Sequence, residues 1–106
     1  MVAKISSHKN DRKFRLGRLV ATPGALEALM RSGQGPEVFL NRHRQADWGA
    51  VPPEDAKLND AAIAHEDDPA RRERVLSSYR TSAGDRLWVI TEYDRSATTM
   101  LLPEEY

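Results

Sequence analysis

The sequence predicts an α+β domain in which an N-terminal strand and three to four short helices precede a three-stranded antiparallel meander. Two changes of pattern carry that prediction. Over residues 22–65 apolar side chains recur at helical spacing, in segments that open on Thr-Pro, Gly-Pro or Pro-Pro. Beyond residue 75 the period shifts from 3.6 to 2, and β-branched and aromatic residues take over. Size is the third observation. A chain of 106 residues, 40% apolar and 30% charged, supports one hydrophobic core and not two.

The elements follow in order. Residues 1–18 hold six basic side chains against one acid. Ser6-Ser7-His8-Lys9-Asn10 has no apolar pattern, so 1–13 reads as a basic, flexible leader. Its functional alternative is a phosphate-contacting tail. The domain proper is 14–106, and Phe14 to Val20 alternates roughly enough for a strand. Thr22-Pro23 then caps a helix over 23–32, because proline's fixed φ suits the first helical position and its missing donor is not needed there. Leu26, Leu29 and Met30 fall on one side of it, and Gly33 suits the left-handed stop. Gly35-Pro36 opens a second helix to about Ala46, with Val38, Phe39 and Arg42 or His43 along one side. A third runs over about 53–65, poorer in large apolar groups, with Leu58, Ala61, Ala62 and His65. Asp68-Pro69 starts a further helical turn or a loop.

Three strands complete the chain, over 76–81, 86–92 and 97–102. Ser82-Ala83-Gly84 fits a three-residue hairpin loop and Tyr93-Asp94-Arg95-Ser96 a four-residue turn. These loops set a register in which Tyr79, Leu87, Val89, Thr91, Thr98, Met100 and Leu102 share an apolar face. Leu26, Leu29, Val38 and Phe39 are expected to pack on it. The opposite face carries Ser78, Arg80, Arg86, Trp88, Ile90, Glu92, Thr99 and Leu101. Two arginines and a carboxylate beside a large aromatic ring make this second face the informative one.

Charge and composition exclude several classes. Sixteen basic residues balance sixteen acidic ones, so there is no whole-chain attraction to nucleic acid or membrane. Cysteine is absent, which removes disulfides, thiolate metal sites and cysteine nucleophiles. The N-terminus is too polar for a signal peptide and no apolar run is long enough for a membrane span, so a cytoplasmic setting is expected. No phosphate-binding glycine loop, serine elbow or helical His-Glu-x-x-His occurs. The three histidines lack ligand spacing, and His65-Glu66-Asp67-Asp68 reads as a solvated acidic loop. No metal or cofactor is expected.

Candidate chemistry rests on a few residues. His43 and Asp47, four apart, would share a helix face as a base and its orienting acid, with Trp48 as a wall. The plainer reading is a half-buried histidine and an Asp closing the helix. Arg80, Arg86 and Glu92 on one sheet face suit phosphate, since guanidinium matches phosphate geometry. A cross-strand ion-pair ladder is the plainer alternative. Arg95 is expected to be held by Asp94 or Glu92 and to project toward Asp47 and Trp48.

The run Val75 to Tyr106, densest between Leu87 and Leu102, together with Leu19-Val20-Ala21-Thr22-Pro23-Gly24-Ala25-Leu26-Glu27-Ala28-Leu29 and Asp47-Trp48-Gly49, resembles a family of small, largely uncharacterised bacterial proteins. That family is carried on plasmids, integrative elements and host chromosomes. The resemblance covers most of 16–106, loosely over 59–74, and leaves out the basic leader. Some members are labelled as type I restriction-modification associated, but this chain has no methyltransferase motif and is far too short for that enzyme. The family supplies no catalytic residues to carry over. It implies a mobile-element accessory or binding module acting through protein or nucleic-acid contact. The residues themselves, and not the resemblance, offer Trp48, Trp88, Arg95 and Asp47 as candidate binding residues. The alternative is a metal-independent ribonuclease of barnase-like architecture, with Arg80, Arg86 and Glu92 on one sheet face and His43 nearby. A third reading makes the Trp88 face a dimer interface. The oligomeric state is not readable from the sequence.

Overall fold

The structure, a computed structural model, describes residues 13–106. The expected leader lies outside the described residues, except for Lys13. The architecture is α+β. Strand β1 (Arg18–Ala21) leads into helices α1 (Pro23–Ser32), α2 (Pro36–Arg44) and α3 (Pro53–Ala64). Strands β2 (Val75–Arg80), β3 (Arg86–Thr91) and β4 (Ala97–Leu101) follow, and a 3-10 turn spans Pro103–Glu105. The segment after Asp68-Pro69 is turn and loop.

The meander forms with the expected register, pairing Tyr79 with Leu87, Val89 with Met100 and Thr91 with Thr98. It is not the whole sheet. β1 adds to β4 in parallel, with Arg18 opposite Ala97 and Ala21 opposite Met100, so the sheet is mixed and four-stranded in the order β1-β4-β3-β2. A parallel partner must arrive by a long crossover, here all three helices and the hairpin, and no local signal announces it.

Helix ends follow local chemistry. Thr22 Oγ1 accepts from the Ala25 N–H at 3.2 Å, and Gly33, at φ 70°, stops α1. Glu105 reaches back to the same end. It accepts from Thr22 Oγ1 and from the Gly24 N–H at 3.0 Å, which pins the C-terminal turn to the start of α1. α2 stops at Arg44, two residues short of the expected end. Ala46 turns left-handed at φ 68°, and the Asp47 N–H folds back on the Arg42 carbonyl at 2.9 Å.

One core cluster joins Ala25 and Leu29 of α1, Phe39 and Leu40 of α2, and Tyr79, Leu87, Val89 and Met100 of the sheet. Two expected members are missing from it. Leu26 is 50% exposed and Val38 40%. α1 meets the sheet through its small residues, with Ala25 and Ala28 fully buried, and that rotation turns Leu26 and Met30 outward. α3 behaves likewise, burying Asn59 and Ala62 and leaving Leu58, Ala61 and His65 exposed. A second cluster of Phe14, Leu16, Trp48, Ala62 and Val75 fills the space between α3, the β2 edge and the entry to β1.

The β2 edge is closed by two devices. The Ser78 N–H donates to the Trp48 carbonyl at 3.0 Å, and the Ala50 N–H donates to the Ser78 carbonyl at 2.7 Å, bridging Gly49 to Ser78. Only glycine suits the middle of this bridge. Gly49 has φ 74°, and an added Cβ would sit 2.1 Å from the Ser78 carbonyl oxygen. Farther along, Asn59 donates to the Leu76 carbonyl at 2.8 Å and accepts from its N–H at 3.2 Å.

Candidate functional site

The sequence candidates divide between the two sheet faces. His43 lies beneath the inner face and is fully buried. Its Nδ1 meets Ser77 Oγ at 2.5 Å, and its Nε2 meets Thr91 Oγ1 at 2.9 Å. Thr91 Oγ1 lies 2.6 Å from Thr98 Oγ1, which donates to the Leu16 carbonyl at 2.7 Å. A carbonyl only accepts, so the whole chain has one direction. Thr98 spends its proton on Leu16, Thr91 donates to Thr98, and His43 Nε2–H donates to Thr91. Nδ1 therefore accepts from Ser77. Burial first, and then the nearby Arg95 charge, push this imidazole down to about 3, so it is neutral at physiological pH.

His43 is therefore a satisfied core residue, and the expected His43–Asp47 pair does not form. Because the helix ends at Arg44 and reverses at Ala46, four-residue spacing no longer places the two together. Asp47 instead binds Arg42, with Nε to Oδ2 at 2.7 Å. The Tyr79 hydroxyl donates to the Asp47 carbonyl at 2.6 Å. Trp48 is core as well, donating from Nε1 to Asp60 at 2.9 Å and packing against Phe14 and His43.

Arg95 departs from expectation in the same way. Its Nε and Nη2 bind the Glu66 carboxylate at 2.8–3.1 Å, and its Nη1 donates to the carbonyls of Glu73 and Glu92. Its neighbours Asp94 and Glu92 offer it no side-chain bond. The turn has a conformational reason for existing that the sequence hid, since Arg95 itself takes the left-handed position at φ 60°.

The outer face holds the remaining candidates. Arg80 and Arg86 are direct cross-strand partners. Arg80 Nη1 donates to the Gly84 carbonyl at 2.9 Å, and Arg86 Nη1 donates to Ser78 Oγ at 3.1 Å. Neither has a carboxylate at ion-pair distance among the described residues, and the adjacent Asp85 is engaged by Arg31. Glu92 is not with them. It lies six positions beyond Arg86 along the chain, roughly 20 Å at the rise of a strand. The four catalytic candidates thus do not converge, because His43 is on the other face and Glu92 is at the other end.

What does converge is a groove of about 590 Å³. Leu76, Ser78, Arg86 and Trp88 form its sheet side. Val51, Pro52, Asp55 and Leu58 contribute from α3 and its approach, and Arg74, Pro103 and Tyr106 complete it. Tyr106 packs edge-on to Trp88 at 5.7 Å, and Arg74 lies 5.8 Å over the Tyr106 ring. Sequence reasoning found Arg86 and Trp88 from the register. It missed Arg74, Tyr106 and the α3 wall, which come from segments far apart in the chain. A second concavity, lined by Arg15, Leu16, Gly17, Leu19 and Arg44, lies at the entry to β1.

Among the described residues no group of three or more His, Asp or Glu is placed to hold a metal ion. No described helix is long and apolar enough to cross a membrane. The chain matches no protein-family model, no curated protein and no solved structure.

Proposed function

We propose that this chain is a small binding module whose working surface is the groove beside Trp88, and that the groove takes an acceptor-rich, anionic ligand. One observation carries the reading. Arg86 lines the groove, Arg80 stands directly opposite it on the neighbouring strand, and neither has a carboxylate at ion-pair distance among the described residues. Like charges in that position destabilise a sheet, so the pair is better explained by what it binds than by what it holds together. The mixture of apolar walls with a few convergent polar groups suits a ligand pocket, and so does its volume. A ribonuclease reading is less well supported, because His43 is buried beneath the other face and Glu92 lies six residues along the chain from Arg86, so neither base candidate sits beside the arginines. The resemblance to mobile-element proteins gives the module a setting, as an accessory of such an element, without naming its ligand.

Thermal unfolding in phosphate or sulfate, against chloride at matched ionic strength, tests this. Tm should rise with the oxyanion as binding is linked to folding. Arg80→Ala should raise Tm in chloride by relieving repulsion and should blunt the oxyanion response. A lower Tm in chloride with an unchanged oxyanion response would make the arginines structural and overturn the reading.

A further inference from the structure

We propose that the ligand of the groove is a nucleotide, with its phosphate at Arg86 and its base against Trp88. This rests on the anion-binding reading above and adds the identity of what carries the anion.

Donor and acceptor supply is the first argument. A guanidinium has five N–H donors and no acceptor. Arg86, which lines the groove together with Asp55, spends one nitrogen on Ser78 and has no carboxylate at ion-pair distance among the described residues. Such a fork suits the terminal oxygens of a phosphate. A peptide backbone carries as many donors as acceptors and would leave its N–H groups short of partners here. Nor can a peptide add as a strand beside the groove, because β2 is already covered by the Trp48–Ala50 segment and Asn59.

Spacing is the second. Arg86 and Trp88 are two residues apart on one strand, so both project from the same face. Their side chains stand about 7 Å apart along the strand, a separation suited to a phosphate and a base joined by one sugar. Trp88 is half-buried, and the apolar wall of Val51, Pro52 and Leu58 lines the same groove. A flat heterocycle between indole and that wall is stacked on one side and desolvated on the other. Every base has a π-face, so the site is tolerant of base identity. The concave groove excludes bases that are already paired, which leaves a free nucleotide or one nucleotide of a single strand as the two sources.

Titration of the full chain, read by calorimetry and by quenching of Trp88 fluorescence, tests this with five probes. They are inorganic phosphate, adenosine, AMP, an oligonucleotide of eight or so thymidines, and the same strand in a duplex. AMP should bind about tenfold or more tighter than phosphate or adenosine, and Trp88→Ala should remove that advantage while leaving phosphate binding in place. Trp88→Phe, which keeps a ring, should restore part of it and guards against a folding defect. Arg86→Ala should weaken phosphate and AMP alike. Affinity for the single strand within threefold of AMP assigns the free nucleotide, and tighter binding assigns the strand. Phosphate binding equal to AMP binding overturns the nucleotide while leaving the anion site standing. Absence of both overturns the two readings together. Duplex binding equal to single-strand binding also overturns the nucleotide proposal, since paired bases cannot reach Trp88.

Discussion

Arg95 and Glu66 form a buried, forked ion pair that joins the β3–β4 turn to the loop after α3. Arg95 keeps only 6% of its surface exposed, and its Nη2 lies 2.8 Å from Glu66 Oε1. The guanidinium also caps two backbone carbonyls and lies 5.6 Å over the Phe14 ring. Removing Glu66 leaves the guanidinium charge buried without its carboxylate, and removing Arg95 leaves a carboxylate only 19% exposed without its partner. Glu66→Ala or Arg95→Ala should therefore lower stability by about 3 kcal/mol or more. Arg95→Lys should recover little, because a point charge cannot reproduce the fork. Urea midpoints of the three variants check this. A double-mutant cycle with Asp47 should be additive, since Asp47 belongs to Arg42.

The neutral His43 sets a pH dependence. Its folded value of about 3 lies below the ordinary 6.5. The unfolded chain therefore takes up a proton that the folded chain refuses. Stability is full above about pH 6.5 and falls as pH drops toward 3, by up to about 1.4 kcal/mol per pH unit. The Asp47, Asp94 and Glu105 carboxyls are also held low, by Arg42, Ser96 and Thr22 respectively. Their contributions are lost only as pH falls through the carboxylate range. Between pH 6.5 and 5 the slope is thus due to the imidazole. Denaturant unfolding at half-unit steps should show it, and His43→Gln should flatten it.

Val89 tests the core. It is fully buried in the cluster with Phe39, Leu87 and Met100. Val89→Asp places an unpaired carboxylate there, at a penalty comparable with the whole margin of a small domain. The expected result is loss of cooperative unfolding by circular dichroism at neutral pH. A soluble variant with a sharp transition would contradict the register.

Asn59 tests the edge. Its amide is buried and makes paired bonds to the Leu76 backbone. Asn59→Asp replaces the donor to the Leu76 carbonyl with a second acceptor, and Asn59→Leu removes both bonds. Each should lower stability by about 2 kcal/mol. Amide exchange at Leu76 should rise above that at Val89, which localises the loss to β2.

The helix starts were legible because proline at the first helical position is a local signal, and α1 spans Pro23–Ser32 as expected. The meander register was legible because two short loops fix it. Helix rotation was not. Leu26, Val38 and Leu58 look like core by size, but α1 approaches the sheet through Ala25 and Ala28, and α3 turns Asn59 toward a strand edge. Neither choice is visible until the facing surface is known. The same holds for the site. Arg80, Arg86 and Trp88 share a face by alternation alone, whereas Arg74 and Tyr106 reach it only through the path of the folded chain. Trp48, His43 and Arg95 read in the sequence as free, chemically rich side chains. Each is instead occupied by a partner, Asp60, Ser77 with Thr91, and Glu66, that no periodicity connects to it.

The two borders of the sheet are unequal, and this limits how copies of the chain can associate. β2 is sealed by Asn59 and the Gly49 bridge, whereas β1 has no further strand beside it among the described residues and leaves Leu19 and Val20 exposed. Strand addition through β1 uses up the available border of both molecules at once. Such a contact closes as a pair about a two-fold axis and has no second border from which to propagate, so fibre growth by end-to-end stacking of sheets is blocked by the sealed side.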